Sequence, residues 1–125
     1  MKVTAEELAR ATGLTARQLG DLESFGLLTS DVIDNVHYYG DDALIVARTA
    51  AAFMRHGVEA RHLRMYKVAA EREAGFLEQL IMPRLKRDPS TRQEAVALLD
   101  DLVGLGDTLR QAMLRQALRE SMERR

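Results

Sequence analysis

The sequence predicts an all-α, mainly helical protein, and three observations carry that expectation. Only two prolines and 5% aromatics stand against many Ala, Leu, Glu and Arg, a composition that favours helix. Two Thr-x-x-Glu/Gln boxes each open a short amphipathic run that a glycine closes. The last third carries an apolar stripe at spacings of three and four, from Thr91 to about Met122.

Each element follows from local chemistry. Thr4 with Glu7 forms a capping box that starts a helix at Ala5, with Ala5, Leu8, Ala9 and Thr12 on one face. Gly13 ends it in a left-handed turn. Thr15 with Gln18 starts a second helix, Ala16 to about Phe25, whose apolar side is Leu14, Leu19, Leu22, Phe25 and Leu28, and Gly26 closes it. A small residue at Ala9, a glycine at the turn and an apolar Leu19 are what a helix-turn-helix needs where its helices cross. Val32, Val36 and Tyr38 around Asp34-Asn35 read as a short β-hairpin. Gly40-Asp41-Asp42 caps a third helix, Ala43 to His56, with Leu44, Ile45, Ala47, Ala51, Phe53 and Met54 inward. A fourth helix runs from Glu59 to about Arg72, and a further one from Ala74 is kinked by Pro83. "KRDPS" breaks the chain, and Ser90 with Gln93 caps the long last helix. The domain organisation predicted is 1-73 and 74-125.

Charge is unevenly spread. Residues 1–57 hold five Lys/Arg and eight Asp/Glu, net −3, whereas residues 58–125 hold thirteen and eleven, net +2. The half with the helix-turn-helix layout is the acidic one, the wrong sign for displacing counterions from phosphates. Zero cysteine excludes disulfides, thiolate metal sites and cysteine catalysis and fits a reducing cytoplasm. No apolar run approaches the roughly 18–20 residues of a membrane span. The start at Met1 lacks the build of a signal peptide. It would also suit a domain cut from a longer protein.

His56 and His62 flank a turn, but two His without an acid cluster make a poor metal site, so no metal or cofactor is expected. Arg61, Arg64 and Lys67 share a helix face, and Arg84, Lys86 and Arg87 cluster further on; both read as solvated faces balanced by Glu71, Glu73 and Glu78. Tyr38, Tyr39, His62 and Tyr66 are the candidates for an effector pocket between the hairpin and the C-terminal helices. Leu98, Leu102, Leu105, Leu109 and Met113 are the candidates for a homodimer interface. No triad, acid/base pair or phosphate-cradling loop points to an enzyme.

The stretches "TAEELARATGLTARQLGDLESFGLL", "HYYGDDAL" and "VARTAAAFMRHGVEARHLRMY" resemble the MerR family of bacterial transcription regulators over about residues 3–73. The resemblance implies a winged helix-turn-helix, here degenerate, followed by C-terminal helices in a dimer. In DNA-binding members the second helix carries Arg-Tyr-Tyr before its Glu. Gly20-Asp21-Leu22 stands there in this chain, with Glu23 retained. The family's DNA-contacting positions that keep some donor fall on Arg17 and His37. "RHLRMYKVAAEREAGFLEQLIMP" extends the resemblance to the C-terminal half of actinobacterial FtsR-like MerR regulators. What that implies is a regulatory module for dimerisation, effector sensing or both, with DNA held by a separate N-terminal domain. The alternatives are direct DNA binding by this winged helix and a small-molecule sensor.

Overall fold

The computed structural model describes residues 1–125, and three quarters of them are helical. The elements in chain order are β1 (Val3–Thr4), α1 (Ala5–Thr12), α2 (Ala16–Ser24), β2 (Asp31–Ile33), β3 (Val36–Tyr39), α3 (Asp41–Met54), α4 (Ala60–Arg87), a 3₁₀ turn (Pro89–Thr91) and α5 (Arg92–Glu123). Met1–Glu71 and Arg72–Arg125 are two compact units. The mainly helical class is as the composition predicted.

In the first unit both capping boxes form. The Thr4 hydroxyl accepts from the Glu7 amide while the Glu7 carboxylate accepts from the Thr4 amide at 3.0 Å. Thr15 and Gln18 repeat this on α2. The Thr4 amide, then its hydroxyl, hold the Glu7 carboxyl below its ordinary value. A carboxyl depressed in the fold stabilises fully above its unfolded value, about 4.3, and loses that contribution as pH falls through the lower folded value. The native chain is therefore expected to be more stable than Glu7→Gln at neutral pH. That margin shrinks below about pH 4.3, as read by denaturation at stepped pH; a pH-independent margin would refute it.

Gly13, at φ 76°, closes α1, and its amide donates to the Ala9 carbonyl at 2.8 Å. A left-handed residue is needed to turn the chain so sharply into α2. After α2 the chain forms an antiparallel sheet in the order β1-β3-β2. Val3 pairs with Tyr39, and Val32 with His37. Asp34 and Asn35, both at positive φ, make the two-residue turn between β2 and β3, a conformation these side chains tolerate well. β1 was not foreseen, because two residues leave no readable alternation.

The core of this unit is aliphatic. Leu8 and Leu22 are fully buried, joined by Leu14, Leu19, Leu28, Tyr39, Leu63 and four alanines. On α3 the buried row is Ala47, Ala50 and Ala51. Ile45, expected inward, is 63% exposed. The alanine row sets the phase of α3, and Ile45 falls outside it.

The expected break near residue 73 is absent, for α4 is one helix from Ala60 to Arg87. Arg72-Glu73-Ala74 are good helix formers, and a single Gly75 costs only about 1 kcal/mol, too little to end a helix. Pro83 sits inside it, four residues from its end, where few backbone bonds remain to be lost. Ser90 does not cap α5. Asp88 caps the 3₁₀ turn instead, accepting from the Ser90 hydroxyl at 2.6 Å and the Ser90 amide at 3.0 Å. Those two bonds, the hydroxyl's first, lower the Asp88 carboxyl's affinity for a proton. Pro89 behind it supplies the preset first turn position.

Candidate functional site

The helix-turn-helix face is built by α1 and α2. Arg17, Gly20 and Asp21 are exposed on α2, whereas Leu22 points into the core. Leu22 therefore cannot reach a nucleic-acid backbone without unfolding the unit. Glu23 is committed as well, since it accepts a hydrogen bond from the Tyr39 hydroxyl. A Cβ built at Gly20 would meet nothing, so this part of α2 borders a shallow hollow of about 400 Å³. Glu6, Glu23, His37 and Tyr39 are among the side chains that line it. His37 is exposed, with Nδ1 2.7 Å from the Ser30 hydroxyl. Arg17 is the sole cation on α2, and an Asp four residues on opposes phosphate approach.

The second unit holds the other candidate surface. Its interior is small: Leu77 and Ile81 on α4 are buried against Ala95 on α5. Arg110 ties the two helices together, donating to Glu73 at 2.7 Å while also pairing with Asp107 at 3.2 Å. Along α5, Leu98 and Leu102 are half-buried, but Leu105 and Leu109 are 66% and 64% exposed, and Met113 is exposed too. Eleven large apolar side chains of this unit are exposed, from Phe76 to Met122. Among them Leu105, Leu109 and Met113 follow one another at intervals of four along one face of α5.

Residues 1–122 match the family model described as "Rv1828-like, C-terminal domain". The chain belongs to that family. It is 27% identical, over 127 aligned positions, to two proteins named uncharacterized HTH-type transcriptional regulator: Rv1828 of Mycobacterium tuberculosis and Mb1859 of Mycobacterium bovis. The alignment covers 99% of this chain and 51% of each relative. The chain thus spans about half the length of the curated relatives it matches.

In this Rv1828-like domain the tyrosine and histidine candidates do not converge. Tyr39 is buried in the core; Tyr38 borders a hollow with Asp31, Asp41 and Asp42. His62 accepts from the Glu59 amide at 2.9 Å, which satisfies the start of α4. Tyr66 packs against Phe53, ring centres 5.7 Å apart, on the wall of a groove between α3 and α4. That apolar groove, about 530 Å³, is the feature sequence reasoning missed. Its signal was the row Ile45, Thr49, Phe53, which reads as core until the phase of α3 is known.

The basic row on α4 is internally engaged. Arg61 pairs with Glu59 at 2.9 Å, and Arg64 donates to the Phe25 carbonyl at 3.2 Å. Lys67 pairs with Glu71 at 3.1 Å and lays its stem over Gly26, where any Cβ would lie 2.6 Å from Lys67 Cε. No group of three or more His, Asp or Glu is placed to hold a metal ion, and no helix is long and apolar enough to cross a membrane.

Proposed function

We propose that this chain is the regulatory, homodimer-forming domain of a MerR-type helix-turn-helix transcription regulator of the cytoplasm. In this reading a separate N-terminal domain holds the DNA, and the helix-turn-helix described here is a packing scaffold rather than a reader. The observation that carries it is the apolar surface of α5, with Leu105, Leu109 and Met113 exposed beside half-buried Leu98 and Leu102. The names of the two mycobacterial relatives support a regulatory role, and their greater length leaves room for a further domain. No side-chain constellation in the chain supports catalysis.

Direct DNA binding has Arg17 and His37 on its side, but the buried Leu22 and exposed Asp21 argue against it. Sedimentation at micromolar concentration and a gel shift at low salt test the proposal together. A dimer that shifts no DNA, beside a longer chain that does, is the expected result. A monomer, or a salt-sensitive shift by this chain alone, overturns it.

Effector sensing is a second role, and the α3–α4 groove is its support: apolar, aromatic-walled, and of a size that small-molecule sites have. A thermal-shift screen reads it, since a ligand at about 100 times its dissociation constant adds roughly 2.7 kcal/mol. Binding that is indifferent to Phe53→Ala would remove the groove from consideration.

A further inference from the structure

The lining of the α3–α4 groove narrows what the groove can hold. Ala50 and Leu63 form its buried floor. Ile45, Thr49 and Phe53 line the α3 side, and Tyr66 and Ala70 the α4 side. Ile45 and Tyr66 are exposed, so both walls stand open to water in the free chain. Ile45, Thr49 and Phe53 recur every four residues, which makes the α3 wall about 12 Å long. Phe53 and Tyr66 set their rings at 37° to each other, giving a flat molecule two aromatic surfaces to lie against.

Most polar groups of the groove are already engaged within the chain. The Thr49 hydroxyl donates to the Ile45 carbonyl at 2.8 Å. The Gly26 amide donates to the Glu23 carbonyl at 2.9 Å, and the Leu27 amide to the Leu22 carbonyl at 2.8 Å. Lys67 and Glu71, the two charged side chains of the lining, pair with each other at 3.1 Å. The Lys67 stem lies over Gly26 and serves as apolar wall. The Tyr66 hydroxyl, by contrast, makes no hydrogen bond within the chain.

Resting on the effector-sensing role given to this groove above, we propose that its ligand is an uncharged, elongated aromatic molecule carrying a single hydroxyl or carbonyl. Charge complementarity decides the class. An anion reaching Lys67 would have to displace Glu71 and then lie beside that carboxylate. A cation drawn to Glu71 would meet Lys67 in the same way. Either ion would also lose water over Ala50, Leu63 and Phe53, whose side chains return no hydrogen bond. An uncharged molecule leaves the pair intact and buries its rings against Ile45, Phe53 and Tyr66. Its one polar group meets the free Tyr66 hydroxyl. Beyond Leu27 and Val46 the surface turns acidic, with Asp31, Asp41 and Asp42. That rim disfavours anions further. Asp31 is paired with Lys2, whereas Asp42 has no ion pair and is the group a cationic ligand would use.

Isothermal titration of the native chain at neutral pH with three probes tests this. Para-phenylbenzyl alcohol, para-phenylbenzoate and para-phenylbenzylammonium share one ring system and differ in charge. The alcohol is expected to bind, and each ion about tenfold more weakly or worse. Thr49→Trp fills the groove from an exposed position and abolishes binding of the alcohol while leaving the core untouched. Tyr66→Phe keeps the ring, removes the hydroxyl and weakens the alcohol about threefold. An ion that binds as tightly as the alcohol, or an alcohol indifferent to Tyr66→Phe, overturns the ligand class while leaving the groove as an effector site. Binding by none of the three, or binding that survives both Thr49→Trp and Phe53→Ala, overturns the effector reading itself. A native dimer that dissociates on Thr49→Trp assigns the groove to a second copy of the chain and overturns that reading as well.

Discussion

Truncating Leu22 to Ala is expected to destabilise the first unit by about 3 kcal/mol or more, since a fully buried leucine costs most where its cavity cannot collapse. Leu22 has no exposed surface and sits among Leu8, Leu19 and the alanine row of α3, whose short side chains cannot move in to fill the space. For a unit of this size the loss corresponds to a fall of roughly 15 °C in Tm. Tyrosine fluorescence reports the change selectively, because Tyr38, Tyr39 and Tyr66 all lie in Met1–Glu71 and the chain has no Trp. Asp21→Ala, one residue away and exposed, is expected to leave stability within about 0.5 kcal/mol of native. The contrast matters for function as well as packing. If Leu22→Ala costs less than about 1 kcal/mol, the side chain is not committed to the core, and the argument that this helix cannot present it to DNA fails.

The parts of the molecule written in local chemistry are legible in the sequence. Thr4, Glu7, Thr15, Gln18 and Gly13 fix the ends of α1 and α2 by bonds that span three or four residues, so a single sequence shows them. Asp34-Asn35 announced the hairpin for the same reason. What stayed hidden depends on tertiary phase. Whether Ile45 or Ala50 faces inward turns on where α4 lies, and an alanine row gives too little hydropathy contrast to say. The unbroken course of α4 was obscured by a change of composition at residue 73 that carries no helix-stop signal. The tyrosine candidates failed to gather for a similar reason. Adjacent residues on β3 point to opposite sides of the sheet, so Tyr38 and Tyr39 could not both line one cavity.

A chain carrying Leu102→Glu and Leu109→Glu is expected to sediment as a monomer where the native chain sediments as a dimer. Four leucines leave the interface of the pair, at about 1.5 kcal/mol or more each. The total, on the order of 6 kcal/mol, weakens association about ten-thousandfold. The carboxylates cannot be accommodated by pairing within the stripe, because Leu98, Leu102, Leu105, Leu109 and Met113 offer them no cation. Leu109 is exposed in the single chain, so its replacement costs the isolated fold little. Leu102 is half-buried and shares the margin of the α4 contact, and Leu109→Glu alone therefore serves as the cleaner variant, with half the effect. The tyrosine signal of the first unit should be unchanged in both. That separation is what distinguishes a lost interface from a lost fold. A dimer that survives both substitutions would place the interface on another of the exposed apolar residues, such as Phe76 and Leu80 of α4, and would take with it the assignment of Leu98, Leu102, Leu105, Leu109 and Met113.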